Sequence, residues 1–175
     1  MKNNLQKAGI ACLCLLFPML GSAQSAEPEN TPSQWVETSK INLPPMPKAE
    51  SLLPFDIGPS MNIKPFIDSV SLSADTDGVV RYVLITENTA GKRNLSYEGI
   101  RCGGASRRVY AVATWGDETW REINMSWQPM EQFYIQRTLA HDFFCDGKYM
   151  IRPASKLIER IKYPARVPDG WRDHP

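Results

Sequence analysis

Cys102 and Cys145 constrain this chain more than any other pair of residues. Cys102 closes the run Asn94-Leu-Ser-Tyr-Glu-Gly-Ile-Arg-Cys102, which is bounded by turn residues, and Cys145 ends a segment of helical period, His141-Asp-Phe-Phe-Cys145. The other two cysteines of the sequence, Cys12 and Cys14, fall in a stretch that reads as a leader. A bond between Cys102 and Cys145 would tie a strand to a helix, as expected of a chain that matures in an oxidising compartment. A reactive or metal-binding thiol pair is the competing reading. It lacks a CxxC spacing, and the only histidines are His141 and His174, so a structural bridge is the expectation and no metal or other cofactor is expected. Closing a loop of this length stabilises the fold by about 4 kcal/mol in the chain-entropy account.

The leader has three parts: Lys2 and Lys7, an uncharged, mostly apolar run from Ala8 to Leu20, and small or polar residues from Gly21 to Ala26. That order predicts a signal peptide over residues 1–23, cleaved after Ala23. The apolar run is too short for a membrane span, which needs roughly 20 residues. Neither Cys12 nor Cys14 follows the Leu-small-small pattern of a lipid-anchored cysteine, so the expected location is the periplasm, with outer-membrane association as the variant. Cleavage removes two lysines and leaves 18 basic against 19 acidic side chains. So balanced a chain has no general attraction for nucleic acid. The balance is uneven along the chain, with residues 24–77 acidic and residues 78–175 basic.

Residues 24–60 hold half of the fourteen prolines and read as an extended arm, partly packed through Ile41, Leu43, Leu52, Leu53, Phe55 and Ile57. Residues 61–165 then read as one α+β domain, and residues 166–175 as an irregular tail. Within the domain, extended runs are predicted at 64–72, 79–86, 94–102, 107–115 and 120–127, separated by short turns such as Asp77-Gly78. That pattern predicts a twisted antiparallel sheet of four to six strands. From Glu131 to Cys145 the apolar residues Phe133, Ile135, Leu139, Ala140, Phe143 and Phe144 share one helical arc, predicting a helix packed on one face of the sheet. A second short helix is predicted from Pro153 to about Lys162.

Several stretches resemble the cryptic neisserial protein family, small exported proteins of proteobacteria with no assigned activity. They are Trp35 and Glu37, the region from Pro44 to Leu53, Phe66-Ile-Asp-Ser-Val-Ser-Leu72, Asp77-Gly-Val-Val-Arg-Tyr82, Ser96-Tyr-Glu-Gly-Ile-Arg-Cys102 and Asp142-Phe-Phe-Cys145. The layout of hairpin, strand and cysteine also resembles, in architecture alone, the surface adhesin E family. The resemblance implies an exported envelope protein and supplies no catalytic residue.

Chemistry is sparse. His141 could act as a general base, but on a regular helix Asp142 points about 100° away from it, with Arg137 and Cys145 as its face neighbours. No Gly-x-Ser-x-Gly elbow, P-loop, dinucleotide fingerprint or HExxH is present. Charged residues inside strand-like runs, Arg81, Glu98 and Arg101, form either internal ion pairs or a polar pocket; alternation puts Glu98 beside Ile100 and Arg101 opposite. Arg107, Trp115 and Trp120 belong either to the core and its hairpins or to a surface that grips a glycan, a small ligand or an envelope protein. The reading is therefore a non-enzymatic periplasmic binding module with Arg81, Glu98, Arg101, Arg107, Trp115 and Trp120 as candidate binding residues. A small hydrolase using His141 is the alternative.

Overall fold

The edges of the sheet are short and its middle is long, because the uninterrupted β-branched and aromatic runs lie in the middle of the chain. A computed structural model describes residues 35–58, 62–123 and 125–164. The expected signal peptide, Cys12, Cys14 and the 166–175 tail lie outside these residues. Strand β1 (Leu52–Pro54) pairs with β2 (Ile63–Asp68), and β3 (Ser73–Ala74) lies on the same side as β2 of the long β4 (Val79–Asn88). Next come β5 (Arg93–Arg101) and β6 (Ser106–Thr114), whose far edge pairs with β7 (Arg121–Glu122) and β8 (Gln128–Pro129). All these pairings are antiparallel, in the order β1-β2-β4-β5-β6-β7, and with β3 and β8 the sheet counts eight strands. Pro54, which cannot donate to a ladder, sits in an edge strand.

Two expected strands are interrupted. The run at 64–72 stops at Asp68, whose carboxylate accepts the amide of Ser71 (2.9 Å) while the Ser71 hydroxyl donates to the Asp68 carbonyl (3.1 Å). Side chains thereby take over the backbone groups and turn the chain. The run at 120–127 keeps only β7, continued by the Ile123 amide donating to the Tyr110 carbonyl (2.8 Å); residues 125–127 are in no strand, and the Trp127 indole reaches across to Glu37. Gly78 closes the β3–β4 turn at φ 84°, a conformation that costs glycine nothing. Gly99 answers a different demand, since a Cβ there would collide with the Tyr110 hydroxyl.

The main helix begins later than predicted and is not regular. Helix α1 (Tyr134–Thr138) runs directly into a π-helical turn, Leu139–Phe144. Phe133 stays outside the helix as its N-cap, and the Arg107 guanidinium lies 3.6 Å from its ring centroid. The widened turn buries Leu139, Ala140, Phe143 and Phe144, two adjacent pairs. The chain then extends through β9 (Cys145–Asp146), which pairs with β10 (Tyr149–Met150). Cys102 and Cys145 are bonded, with Cα atoms 5.7 Å apart, so the end of β5 is fastened to the end of the helical segment. Helix α2 (Ala154–Lys162) buries Leu157 and Ile161 in the same core.

That core fills one face of the sheet: Ile67, Leu72, Val80, Tyr82, Leu84 and Ile100 meet Phe143, Phe144 and Leu157. On the other face Val83, Ile85, Leu95, Tyr97, Tyr110 and Ala111 are covered by the arm through Ile41, Leu43 and Met46. Between residues 35 and 48 the arm is in no ladder, and its exposure alternates strictly from Val36 to Leu43, so that Glu37, Ser39, Ile41 and Leu43 are the less exposed residues. The described residues from Val36 onward form one compact unit.

Candidate functional site

Three polar assemblies were candidates for chemistry, and each is built by a different part of the fold. The first lies between the arm and the sheet. Strand alternation directs Arg81 to the arm side, where its guanidinium is almost wholly buried and meets three carboxylates: Asp75 (2.5 Å), Asp77 (2.8 Å) and Glu37 (2.5 Å). Glu37 also accepts from the Tyr110 hydroxyl (2.6 Å), Arg108 (2.8 Å) and the Trp127 indole (3.2 Å). Burial pushes the Glu37 carboxyl upward, but the bonds from Tyr110 and Arg81 outweigh it and hold the group below its ordinary value. Asp77 is opposed in the same way by burial, yet Arg81 and the Ser39 amide bring it down to about 2. Burial disfavours the charge on Arg81, and its three acidic partners more than restore it. Burial and the bond to Glu37 push the Tyr110 hydroxyl up. Glu37, Asp77 and Arg81 thus hold their charges against one another, and Tyr110 keeps its proton.

The second assembly lies under α1. Glu98 is buried and accepts from Ser96 (2.6 Å), Tyr82 (3.1 Å) and Gln136 (2.8 Å), with Arg107 at 3.6 Å. Burial first, and then the charge of Glu98, raise the Tyr82 hydroxyl well above its ordinary value. Glu98 and Arg81 therefore stand back to back on opposite faces, and the partner of Glu98 is Arg107.

The third is an open cleft of about 820 Å³ at the end of the sheet that α1 and α2 leave uncovered. Its floor is made by Thr86, Asn94, Ser96, Val112 and Thr114, and its wall by the loop from Asp117 to Arg121. The loop is braced where the Thr114 amide donates to the Asp117 carboxylate (2.7 Å). Trp120 borders the cleft, but its indole packs with the arm-side cluster and donates to the Pro44 carbonyl (2.8 Å). Trp115 lines a smaller cavity of about 310 Å³, with the Arg93 guanidinium 5.0 Å from its ring centroid. Arg101 lies beside Gly104, where any side chain would overlap its guanidinium. The six candidate binding residues thus do not converge on one site.

His141 departs from the geometry of a regular helix. Its Nδ1 lies 2.6 Å from the Asp142 carboxylate, because the wide π turn and two exposed side chains allow consecutive residues to meet. The imidazole is 89% exposed and lines neither cavity.

The model of the CNP1-like family matches residues 30–162, three quarters of the sequence. The chain belongs to the CNP1-like family. It is 29% identical over 156 residues to Cryptic neisserial protein 1 of Neisseria gonorrhoeae (strain ATCC 700825 / FA 1090), covering 77% of this chain and 75% of that relative. No solved structure matches. The function of the CNP1-like family is unknown, so the match transfers no activity. The matched region takes in the arm with Glu37, the whole sheet and both helices, so the arm belongs to the CNP1-like domain. The disulfide fits a CNP1-like chain that matures outside the cytoplasm. No helix among the described residues is long and apolar enough to cross a membrane.

Sequence reasoning passed over Glu37 as a functional group. Its donors Arg81, Arg108, Tyr110 and Trp127 lie 44 to 90 residues away, beyond the reach of any local pattern. The one available hint was the two-residue period from Glu37 to Leu43. The cleft floor was equally hidden, because Thr86, Asn94 and Thr114 come together only through strand register.

Proposed function

We propose that the chain is an exported, non-enzymatic binding module of the periplasm that takes an envelope component into the cleft at the uncovered end of its sheet. The observation that carries this reading is the cleft itself: an open floor of threonine, asparagine and serine with Val112, held on a braced scaffold and covered by no other element among the described residues. Pockets of this size suit small ligands or a segment of a longer one. Two further features favour binding over catalysis. The carboxylates of Glu37, Asp77 and Glu98 are engaged by internal partners, and the His141 ring is exposed. A catalytic base needs a substrate held within hydrogen-bond reach, and the His141–Asp142 pair lines neither of the two cavities described above.

The test is titration of fractionated periplasmic and envelope extract into isotope-labelled full-length mature chain, following backbone amides by NMR. Shifts concentrated at Asn94, Ser96 and Thr114 are expected; shifts confined to other surfaces would reject the cleft. Cell fractionation tests the location, and recovery of the protein only from the cytoplasm would reject export. The hydrolase alternative rests on the 2.6 Å contact of His141 with Asp142 and predicts a turnover lost in His141→Ala.

A further inference from the structure

We infer that the cleft takes an uncharged saccharide chain laid across the strands. This deepens, and rests on, the reading of the cleft as the binding site.

Register supplies the first argument. Thr86 stands opposite Asn94 and Asn94 opposite Thr114, so the three form one row running perpendicular to β4, β5 and β6. The parallel row inward is Leu84, Ser96 and Val112, and Arg121 continues it into β7. Neighbouring strands lie roughly 4.7–4.9 Å apart. A row of hydroxyl and amide groups at that interval matches an extended saccharide, which advances by about one strand spacing per ring and offers hydroxyls at each step.

The polarity of the donors and acceptors supplies the second. The Ser96 hydroxyl donates to Glu98 (2.6 Å), so toward a ligand it remains an acceptor. Glu98 is itself fixed by Tyr82 and Gln136, which makes it a positioning residue for Ser96. An acceptor set in this way, beside an asparagine amide and rotatable threonine hydroxyls, suits ligand hydroxyls that both give and take protons.

Charge and access narrow the class. Asp117 and Glu118 stand against Arg121 alone, which disfavours polyanions. Asp117 accepts the Thr114 amide and Glu118 is exposed, so no buried carboxylate waits for a cation. An apolar ligand would strip the floor hydroxyls of water without replacing their bonds. Strand addition of a peptide needs a free edge, whereas the cleft presents a sheet face; the β6 edge is paired with β7 at Ala111 and Val112, and beyond them the Thr114 amide is taken by Asp117.

The probe is chitotetraose, an uncharged β-linked tetramer, titrated into the full-length, disulfide-intact mature chain and followed by backbone NMR. Shifts are expected at Thr86, Asn94, Ser96 and Thr114. The disaccharide chitobiose should bind roughly ten-fold more weakly than the tetramer, because it spans fewer strands. Asn94→Ala and Thr114→Val, both at exposed positions, should each weaken the tetramer roughly three- to ten-fold while leaving the melting temperature unchanged. Equal affinity for dimer and tetramer would overturn the row geometry. Shifts of the same amides by spermidine or polyglutamate, with chitotetraose silent, would overturn the saccharide assignment and leave the cleft standing. If no probe and no envelope fraction moves those amides, both readings fall.

Discussion

Beneath α1 and α2 the sheet contributes Val80, Tyr82, Leu84 and Ile100 to an apolar core closed by aromatic rings, with Tyr82 edge-on to Phe144 at 5.2 Å. Beneath the arm it contributes Val83, Leu95 and Tyr97, but also Arg81 with its three carboxylates. The helical cover is held by burial and one covalent bond. Before β1 the arm has no ladder and no crosslink among the described residues, and side-chain keys hold it. Those keys are directional: four donors converge on Glu37, one acceptor at Asp77 takes the Ser39 amide (3.1 Å), and Trp120 takes the Pro44 carbonyl. A segment laid on a sheet face, with prolines that remove backbone donors at its end, can be fixed in this way through its side chains.

The contrast predicts that each face can be loosened separately. The largest effect is expected from the disulfide. Replacing both Cys102 and Cys145 by alanine should lower stability by about 4 kcal/mol in denaturant unfolding, with hydrogen exchange rising first in 134–150 and the arm still protected. Simultaneous loss of protection in the arm would show that the two faces are one cooperative unit. Glu37→Ala should come next, at about 3 kcal/mol, because it leaves Arg108 and part of Arg81 without their acceptor. Faster exchange or proteolysis should then appear in residues 36–46 and not in α1.

Acid should also act on the arm face. Asp77 and Glu37 are held below their unfolded values, so their contribution is complete above about pH 5 and fades as pH falls through the folded values, which for Asp77 means toward 2. Asp77 alone accounts for about 2 kcal/mol of that loss. Unfolding followed from pH 6 to pH 2 should therefore decline less steeply in Asp77→Asn than in the parent chain. A parallel decline in both would mean that the carboxylates of this network are not the acid-sensitive groups. The smallest effect is expected at His141→Ala, within about 0.5 kcal/mol, since the ring is exposed and outside both cores.

Much of the helix-covered face was legible beforehand. Alternation placed Glu98 and Ile100 on one side of β5, the helical arc from Ile135 to Phe144 named most of the buried residues, and the two cysteines paired as expected. Local rules suffice there because each element carries its own apolar stripe. The register shift between Tyr97 and Glu98, which brings Tyr110 over Gly99, leaves no mark in the pattern of either strand. Nor did a helical wheel anticipate that a π turn would set His141 against Asp142.

Chain composition and periodicity, then, decided the strands, the helices, the bridge between them and the extended character of the arm, because each is the response of a short segment to its own residues. Which carboxylate would neutralise Arg81, and that Thr86, Asn94 and Thr114 would form one row, was decided only when the sheet assembled. Charge pairing and register join residues far apart in the chain, and no short segment encodes a distance it does not span.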